Sequence, residues 1–245
     1  MHNYVPSASV KDRVVSRMGK LLAHDTIEAG HTALIVVDMQ NYFCAPGFPH
    51  EIPVAREIVP NINRLAEAVR ASGGAVAWIQ TTAVGGIEHW RNYTTRMLTP
   101  DRQKKRLAGL GESSEGFQLF PELKVLPGDM RVKKMKYSAF IPGSSDLDAL
   151  LRARTIDTVL IAGTATNVCC ESTARDAMML DYKVIMLSDG TAALTDEEHA
   201  GALNTFMMFF GDVMNTDEVI GRLRLNSLTA KPVKGSDRRA GAIPR

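Results

Sequence analysis

A continuous apolar run, Ala-Leu-Ile-Val-Val, occupies residues 33–37. Such a run without polar alternation is typical of a strand buried on both faces, as in a parallel sheet. Similar runs recur at residues 75–80, 158–162 and 184–187, and segments with helical spacing of apolar residues lie between them. This alternation predicts an α/β fold in which a doubly wound, mainly parallel sheet is flanked by helices.

The same patterns predict the bounds of the elements. We expect six strands and four main helices, the strands at 33–37, 75–80, 130–134, 158–162, 184–187 and, as a short edge strand, 213–214, and the helices at 54–72, 145–154, 167–181 and 195–210. Ser145 with Asp148 and Thr195 with Glu198 fit the capping-box pattern at a helix start. Residues 83–128 show no regular pattern, and so long an insertion is more often a functional lid or wall than an idle loop.

Length and charge predict one domain with two appendages. The 245 residues are divided into an N-terminal arm at 1–30, a single domain at 31–225 and a basic, mobile tail at 226–245. The tail holds five basic residues and one acidic residue, so it carries +4 of a total net charge of +2 and leaves −2 for the rest. A nearly neutral body offers no electrostatic footprint for nucleic acid, and we expect no such partner.

The cysteines predict the compartment. Cys44, Cys169 and Cys170 are an odd and small set, and two of them are neighbours, which is typical of free thiols in a reducing environment. The N-terminus has no uncharged apolar segment of the kind that a secretory signal contains, and no apolar run is long enough for a membrane span. We therefore expect a cytoplasmic protein without a membrane partner.

Three chemically active side chains follow predicted strands. Asp38 comes directly after the first strand, Lys134 ends the third and Cys169 follows the fourth. The carboxyl ends of parallel strands share one edge, so these groups are expected to meet there. A carboxylate can move the thiol proton, and a cation together with a helix N-terminus can lower the pKa of the thiol. Each residue alone also fits a structural role, as a loop cap, a solvated lysine or a core cysteine, and Cys170 competes with its neighbour as nucleophile.

Three motifs at these positions resemble one known family. The sequences are DMQN at 38–41, KMKYSAF at 134–140 and GTATNVC at 163–169. Together they resemble the isochorismatase-like cysteine hydrolases, a family that includes ureidoacrylate and N-carbamoyl amidohydrolases. The resemblance implies a three-layer α/β/α fold and covers about residues 30–220.

The resemblance also implies roles for individual residues. It makes Asp38 the general acid/base, Lys134 the charged partner and Cys169 the nucleophile. Lys136 stands where the family has arginine, so an assignment of the lysine to Lys136 stays open. A cis peptide is implied between Thr164 and Ala165. The N–H groups of Ala165 and Cys169 would then form the oxyanion hole.

Metal and cofactor motifs are missing from the expected places. The nicotinamidase branch carries an Asp-x-His metal motif after the second strand, whereas His89 is the only histidine between His50 and His199 here. A catalytic zinc usually takes three protein ligands. No glycine-rich dinucleotide motif follows a strand. We therefore expect neither a metal nor another cofactor.

The predicted function is hydrolysis of the C–N bond in a small amide or N-carbamoyl (ureido) compound through a thioester-type intermediate, by a homodimer or homotetramer. The substrate-binding residues are expected to be Gln40, Gln80, Trp90 and Tyr137. Three further aromatic residues could wall the pocket or belong to the core, namely Tyr42, Phe43 and Phe140. Three arginines could hold a substrate carboxylate or form a solvated basic surface, namely Arg91, Arg96 and Arg102. The alternatives are a nicotinamidase-like or isochorismatase-like hydrolase, a thiol redox protein that uses Cys169 and Cys170, and a catalytically silent binding subunit.

Overall fold

The structure, a computed structural model, describes residues 1–229 of the chain, with side chains through Leu223. Its centre is a parallel sheet of six strands in the order β3-β2-β1-β4-β5-β6. The strands are β1 Thr32–Val37, β2 Ala75–Thr81, β3 Met130–Lys134, β4 Thr158–Thr164, β5 Lys183–Ala192 and β6 Asp212–Met214. The prediction of a doubly wound parallel sheet is confirmed.

Helices cover both faces of this sheet. They are α1 Ala8–Met18, α2 Asn41–Cys44, α3 Val54–Glu57, α4 Val59–Ala71, α5 Gly86–His89, α6 Pro100–Gly109, α7 Leu147–Arg152, α8 Glu171–Met179, α9 Asp196–Phe209 and α10 Thr216–Thr229. Successive side chains of a strand point to opposite faces. Leu34 and Val36 of β1 accordingly share a core with α4 and α10, whereas Ile35 and Val37 share the other core with α7, α8 and α9.

The strand order reverses between β1 and β4. From β1 the chain proceeds through β2 to β3 on one side, and then continues through β4, β5 and β6 on the other. Ligand sites of open α/β sheets lie beyond the carboxyl ends of the strands at such a reversal. The fold therefore directs attention to the residues that follow β1 and β4.

The helix predicted at 54–72 is divided in two at Ile58. Pro60 lies in the first turn of α4, where its missing N–H costs nothing. A continuous helix would bring the proline ring against the carbonyl of Arg56, so α3 ends before it. The predicted helix at 167–181 also begins differently, with a π-helical turn over Thr166–Cys170 in which Cys170 N–H donates to the Ala165 carbonyl at 3.1 Å.

One of the two predicted capping boxes forms. Thr195 and Glu198 cap α9 reciprocally, as expected. The box at Ser145 and Asp148 is wrong, because α7 begins one residue later, after Asp146. Ser145 Oγ donates to the Ala139 carbonyl and accepts from Leu147 N–H, whereas Asp148 pairs with Arg152.

The segments outside the expected elements are more ordered than their sequence indicates. Residues 83–128 hold α5, a π-helical turn at Tyr93–Met97 and α6, so the prediction of an irregular insertion is wrong for this part. Thr99 caps α6 by accepting from Arg102 N–H, and Pro100 starts it. Strand β5 continues past residue 187 through a bulge opposite Ile161–Gly163.

The two appendages differ in how much of them the structure describes. In the N-terminal arm, α1 packs on α9 through Val10, Val14 and Met207. Helix α10 runs past the boundary expected at residue 225, and residues 230–245 of the basic tail lie outside the described residues. No helix among residues 1–229 combines the length and the apolar character that crossing a membrane requires.

Candidate active site

Four strand ends bring polar side chains to the crevice at the reversal. Asp38 follows β1 with a positive φ of 53°, and Thr81 and Lys134 are the last residues of β2 and β3. Cys169 lies in the π-helical turn that follows β4. The structure therefore brings together Asp38, Lys134 and Cys169, the three residues that the sequence singles out.

Asp38 and Lys134 form a completely enclosed ion pair. Lys134 Nζ lies 2.8 Å from Asp38 Oδ2 and donates to Thr81 Oγ1 at 2.6 Å and to the Lys136 carbonyl at 3.2 Å. Burial alone would lower the pKa of Lys134, but the charges of Asp38 and Cys169 outweigh it and the net shift is upward. The lysine is therefore a fixed cation beside Asp38 Oδ2.

Thr81 and Gln40 hold this pair in place. Thr81 donates its hydroxyl and its backbone N–H to Asp38 Oδ1 at 2.8 and 3.1 Å. Gln40 Oε1 accepts from Thr81 N–H at 2.7 Å, and its Nε2 donates to the carbonyls of Thr81 and Phe117. Sequence analysis missed Thr81, although its place at the end of a buried strand is the signal that identified the other site residues.

Cys169 lies at the cavity side of the ion pair and is 8% exposed. Burial raises the pKa of this thiol to about 12, Asp38 adds to the rise, and Lys134 opposes it. The cation lowers the pKa as expected, but the net shift is upward because burial and the enclosed carboxylate outweigh it. Cys169 is thus a protonated thiol with a carboxylate beside it.

The two competing assignments are not supported by the geometry. Cys170 is fully buried, and its Sγ lies 3.9 Å from the Ala162 carbonyl, within the core. Lys136 directs its Nζ to the Pro142 carbonyl at 3.3 Å, away from Asp38. Cys169 and Lys134 are the residues placed beside the carboxylate.

The turn between β4 and Cys169 depends on a close backbone contact. Gly163 has φ +108°, and a Cβ at this position would lie 2.0 Å from the Val37 carbonyl oxygen. Glycine thus lets β4 approach β1 directly before Asp38. The Thr164–Ala165 peptide is cis, as the resemblance implied, and Ala165 borders the cavity.

A cavity of about 490 Å³ opens above Cys169, a size suited to a small organic molecule. Of the expected wall residues, Phe43, Tyr137 and Arg102 border it. Sequence analysis missed several others, among them His50, Tyr93, Arg106 and Asn167. Arg106 belongs to a basic run that reads as solvated surface, which is why its position was not foreseen.

Several expected substrate-binding residues lie elsewhere. Gln40 and Gln80 do not border the cavity, because their amides bond to backbone groups, including the Phe117 carbonyl. Trp90 stacks on Tyr93 at 4.1 Å and touches Tyr137 by its edge, so it supports the cavity wall from behind. The other candidates that do not border the cavity are Tyr42, Arg91, Arg96 and Phe140.

The histidines do not gather around a possible metal. His50 Nδ1 lies 3.2 Å from the Tyr42 hydroxyl, and His199 lies 2.9 Å from Thr166 Oγ1 and 3.1 Å from the Ser188 carbonyl. Within residues 1–229, no group of three or more His, Cys, Asp or Glu side chains is arranged to hold a metal ion.

A parallel α/β sheet with a carboxylate, an ammonium and a thiol at its reversal point is the arrangement that the resemblance to cysteine hydrolases implied. The family model described as "Isochorismatase domain" matches residues 32–218. This chain therefore belongs to the isochorismatase family, and the family predicted from the motifs is confirmed.

Individual relatives agree with this placement. The chain is 34% identical over 206 residues to ureidoacrylate amidohydrolase RutB of Pseudomonas savastanoi pv. phaseolicola. The aligned region covers 78% of this chain and 83% of that protein. A cysteine hydrolase structure from Pseudomonas syringae pv. phaseolicola 1448A matches with a TM-score of 0.73 and 32% identity, over 85% of this chain and 99% of that one. N-carbamoylsarcosine amidase from Thermoplasma acidophilum matches with a TM-score of 0.59 and 26% identity, over 76% and 96%.

Proposed function

We propose that this protein is a cysteine amidohydrolase that cleaves the C–N bond of a small amide or N-carbamoyl (ureido) compound. The observation that carries the proposal is the Cys169 thiol, which borders the cavity with the buried Asp38–Lys134 pair behind it. The names of the amidohydrolase relatives support the same reaction class.

In the first half of the reaction, Cys169 Sγ attacks the substrate carbonyl carbon as the thiol proton passes to Asp38. The raised pKa of the thiol means that this transfer accompanies the attack and does not precede it. The carbonyl oxygen takes the developing negative charge, and the N–H groups of Ala165 and Cys169 donate to it. The C–N bond then breaks, Asp38 returns the proton to the leaving nitrogen, and ammonia or an amine departs.

In the second half, water releases the acyl or carbamoyl group. Asp38 is again a carboxylate at this stage. It takes a proton from the water while the water oxygen attacks the thioester-type carbonyl carbon. The C–S bond breaks, the sulfur recovers a proton from Asp38, and the acid or carbamate leaves. Lys134 stays protonated throughout, because its Nζ is held by Asp38, Thr81 and a backbone carbonyl.

A panel of ureides, carbamates and primary amides, assayed for released ammonia, tests this proposal. Cys169→Ser should remove turnover while the folded state is kept, since the change affects one atom. Cys170→Ser is the matched control and should retain most of the activity, because its sulfur faces the core. Turnover by Cys169→Ser at the wild-type rate, or no ammonia from any compound, would contradict the proposal.

The thiol redox alternative has less support. Cys169 and Cys170 are both buried, and the Sγ of Cys170 approaches a core carbonyl instead of the cavity.

Two further properties stay predictions. A cytoplasmic location is supported by the three free cysteines. A homodimeric or homotetrameric state can be measured directly by light scattering of the purified protein.

A further inference from the structure

Arg106 is a buried cation at the cavity wall. It lies on α6 and is only 8% exposed, and its guanidinium carbon lies 5.2 Å from the centre of the Tyr93 ring. Arg102, one helical turn earlier, borders the same cavity. Like charges four residues apart weaken a helix slightly, so helix stability does not account for this arrangement.

No carboxylate of the protein neutralises Arg106 among residues 1–229. The partly buried Arg56 and Arg70 each have one, Glu51 at 2.8 Å and Asp129 at 2.6 Å, whereas no ion pair or side-chain hydrogen bond is formed by Arg106. Its guanidinium nitrogens are not fully enclosed, so these donors stay open to the cavity that Arg106 borders.

The acidic residues of the cavity are already engaged. Glu51 binds Arg56 and accepts from Gly47 N–H at 2.9 Å. Glu198 accepts from Thr195 N–H at 3.2 Å within its capping box. Neither carboxylate of the cavity wall therefore pairs with Arg102 or Arg106.

The charge of Arg106 also acts on the catalytic groups. The pKa of Cys169 is raised chiefly by burial, and Arg106 is one of the charges that oppose this rise. It likewise opposes the upward shift in the pKa of Lys134. Both effects agree with the position of Arg106 on the wall of the cavity that Cys169 also borders.

We infer that Arg106 binds a carboxylate of the substrate, so that the enzyme selects anionic substrates, of which ureido acids are the simplest class. The guanidinium fork matches a carboxylate with two parallel hydrogen bonds, and the Tyr93 ring lies against the guanidinium. Arg102 lies at the exposed rim of the cavity, where its charge attracts an anionic substrate without enclosing the carboxylate. The inference rests on the proposed function for the bond that is cleaved.

Alkylation of Cys169 tests the charge preference without any turnover. The rates of labelling by iodoacetate and by neutral iodoacetamide are measured by mass spectrometry, and their ratio is divided by the ratio for glutathione. We expect the wild-type ratio to favour iodoacetate and Arg106→Gln to lower it by about tenfold, the loss of one charged contact. Arg96→Gln removes an exposed charge outside the cavity and should leave it unchanged. Equal ratios for Arg106→Gln and wild type would overturn the inference.

Turnover provides the second measurement. Ammonia release from 3-ureidopropanoate is compared with release from its methyl ester. Arg106→Gln should lower kcat/KM for the acid by roughly 100-fold, mainly through KM, and for the ester by less than about threefold, with partial recovery in Arg106→Lys. An equal loss for both compounds would mean a packing role and overturn the inference. If the wild type hydrolyses no ureide or amide while the alkylation preference depends on Arg106, the proposed function fails and the anion site stands.

Discussion

Among individual residues, the buried ion pair of Asp38 and Lys134 is the most distinctive feature of the site. Enclosing two charges is costly, and Thr81 and the Lys136 carbonyl offset part of this cost with hydrogen bonds to the pair. Asp38 Oδ2 is held by its contact with Lys134 Nζ alone among the described residues. The sequence could predict Asp38, Lys134 and Cys169, since each follows a recognisable strand. The end of a buried strand also marks Thr81, which was overlooked. Arg106 could not be predicted, because an arginine in a basic run has no special signature until neighbouring elements enclose it.

The two lysines of the KMKYSAF motif provide a matched test. Lys134→Met leaves Asp38 as an uncompensated buried carboxylate, so the free energy of unfolding should fall by about 3–5 kcal/mol and turnover should be lost. Lys136→Met removes an ammonium that bonds only to the Pro142 carbonyl and should change both by little. Urea unfolding and ammonia release measure the two effects. A small loss of stability and turnover in Lys134→Met, together with a large loss in Lys136→Met, would assign the charged partner of Asp38 to Lys136.

At the scale of the elements, the apolar runs predicted the strands because both faces of the sheet are covered. The same reasoning could not give the end of β5, since its last residues are held by a bulge and not by apolar character. Nor could it assign Gln40 and Gln80, because the carbonyl of Phe117 to which both bond is supplied by the insertion. Local signals such as Thr99-Pro100 mark a helix inside that insertion, but they carry no information on which face meets the cavity.

Two glycines test the contact between β1 and β4. Gly163→Ala introduces a Cβ 2.0 Å from the Val37 carbonyl oxygen at φ +108°, so we expect a destabilisation of at least about 2 kcal/mol, measured by urea unfolding. Gly201→Ala, within α9 where the added methyl meets nothing within 4 Å, should stabilise by about 0.5–1 kcal/mol. If Gly163→Ala is as stable as the wild type, the strand ends do not require this close approach.

At the scale of the whole molecule, the N-terminal arm connects to the loop that carries Cys169. His2 stacks on His199 with ring centres 4.3 Å apart, and His199 Nδ1 lies 2.9 Å from Thr166 Oγ1 in the π-helical turn that contains Cys169. Met1 adds an ion pair between its amino group and Glu57. The arm was predicted to lie on the body or on a partner, and its long-range contacts within the chain could not be read from its polar composition.

This cluster gives stability a defined pH dependence. Burial and the nearby His2 lower the pKa of His199 to about 4, from an ordinary value of 6.5. Between these values the unfolded chain binds a proton that the folded one does not, so the free energy of unfolding falls as the pH decreases through this window. Between pH 7 and 5 we expect His199 to contribute a loss of about 2 kcal/mol.

Urea unfolding at both pH values measures this loss. His199→Asn should reduce the pH dependence, whatever its effect on stability at pH 7. The exposed His89→Asn is the control and should keep the wild-type dependence. Identical pH dependence in wild type and His199→Asn would show that the buried histidine does not drive the change.

The covalent intermediate is the most direct test of the central claim that Cys169 is the nucleophile. The enzyme, mixed with a hydrolysed ureide or amide and quenched in acid during turnover, is analysed by intact and peptide mass spectrometry. We predict an added acyl or carbamoyl mass on the Cys169 peptide of the Cys170→Ser variant, and none on Cys169→Ser. An adduct that persists in Cys169→Ser, or full turnover by that variant, would contradict the account.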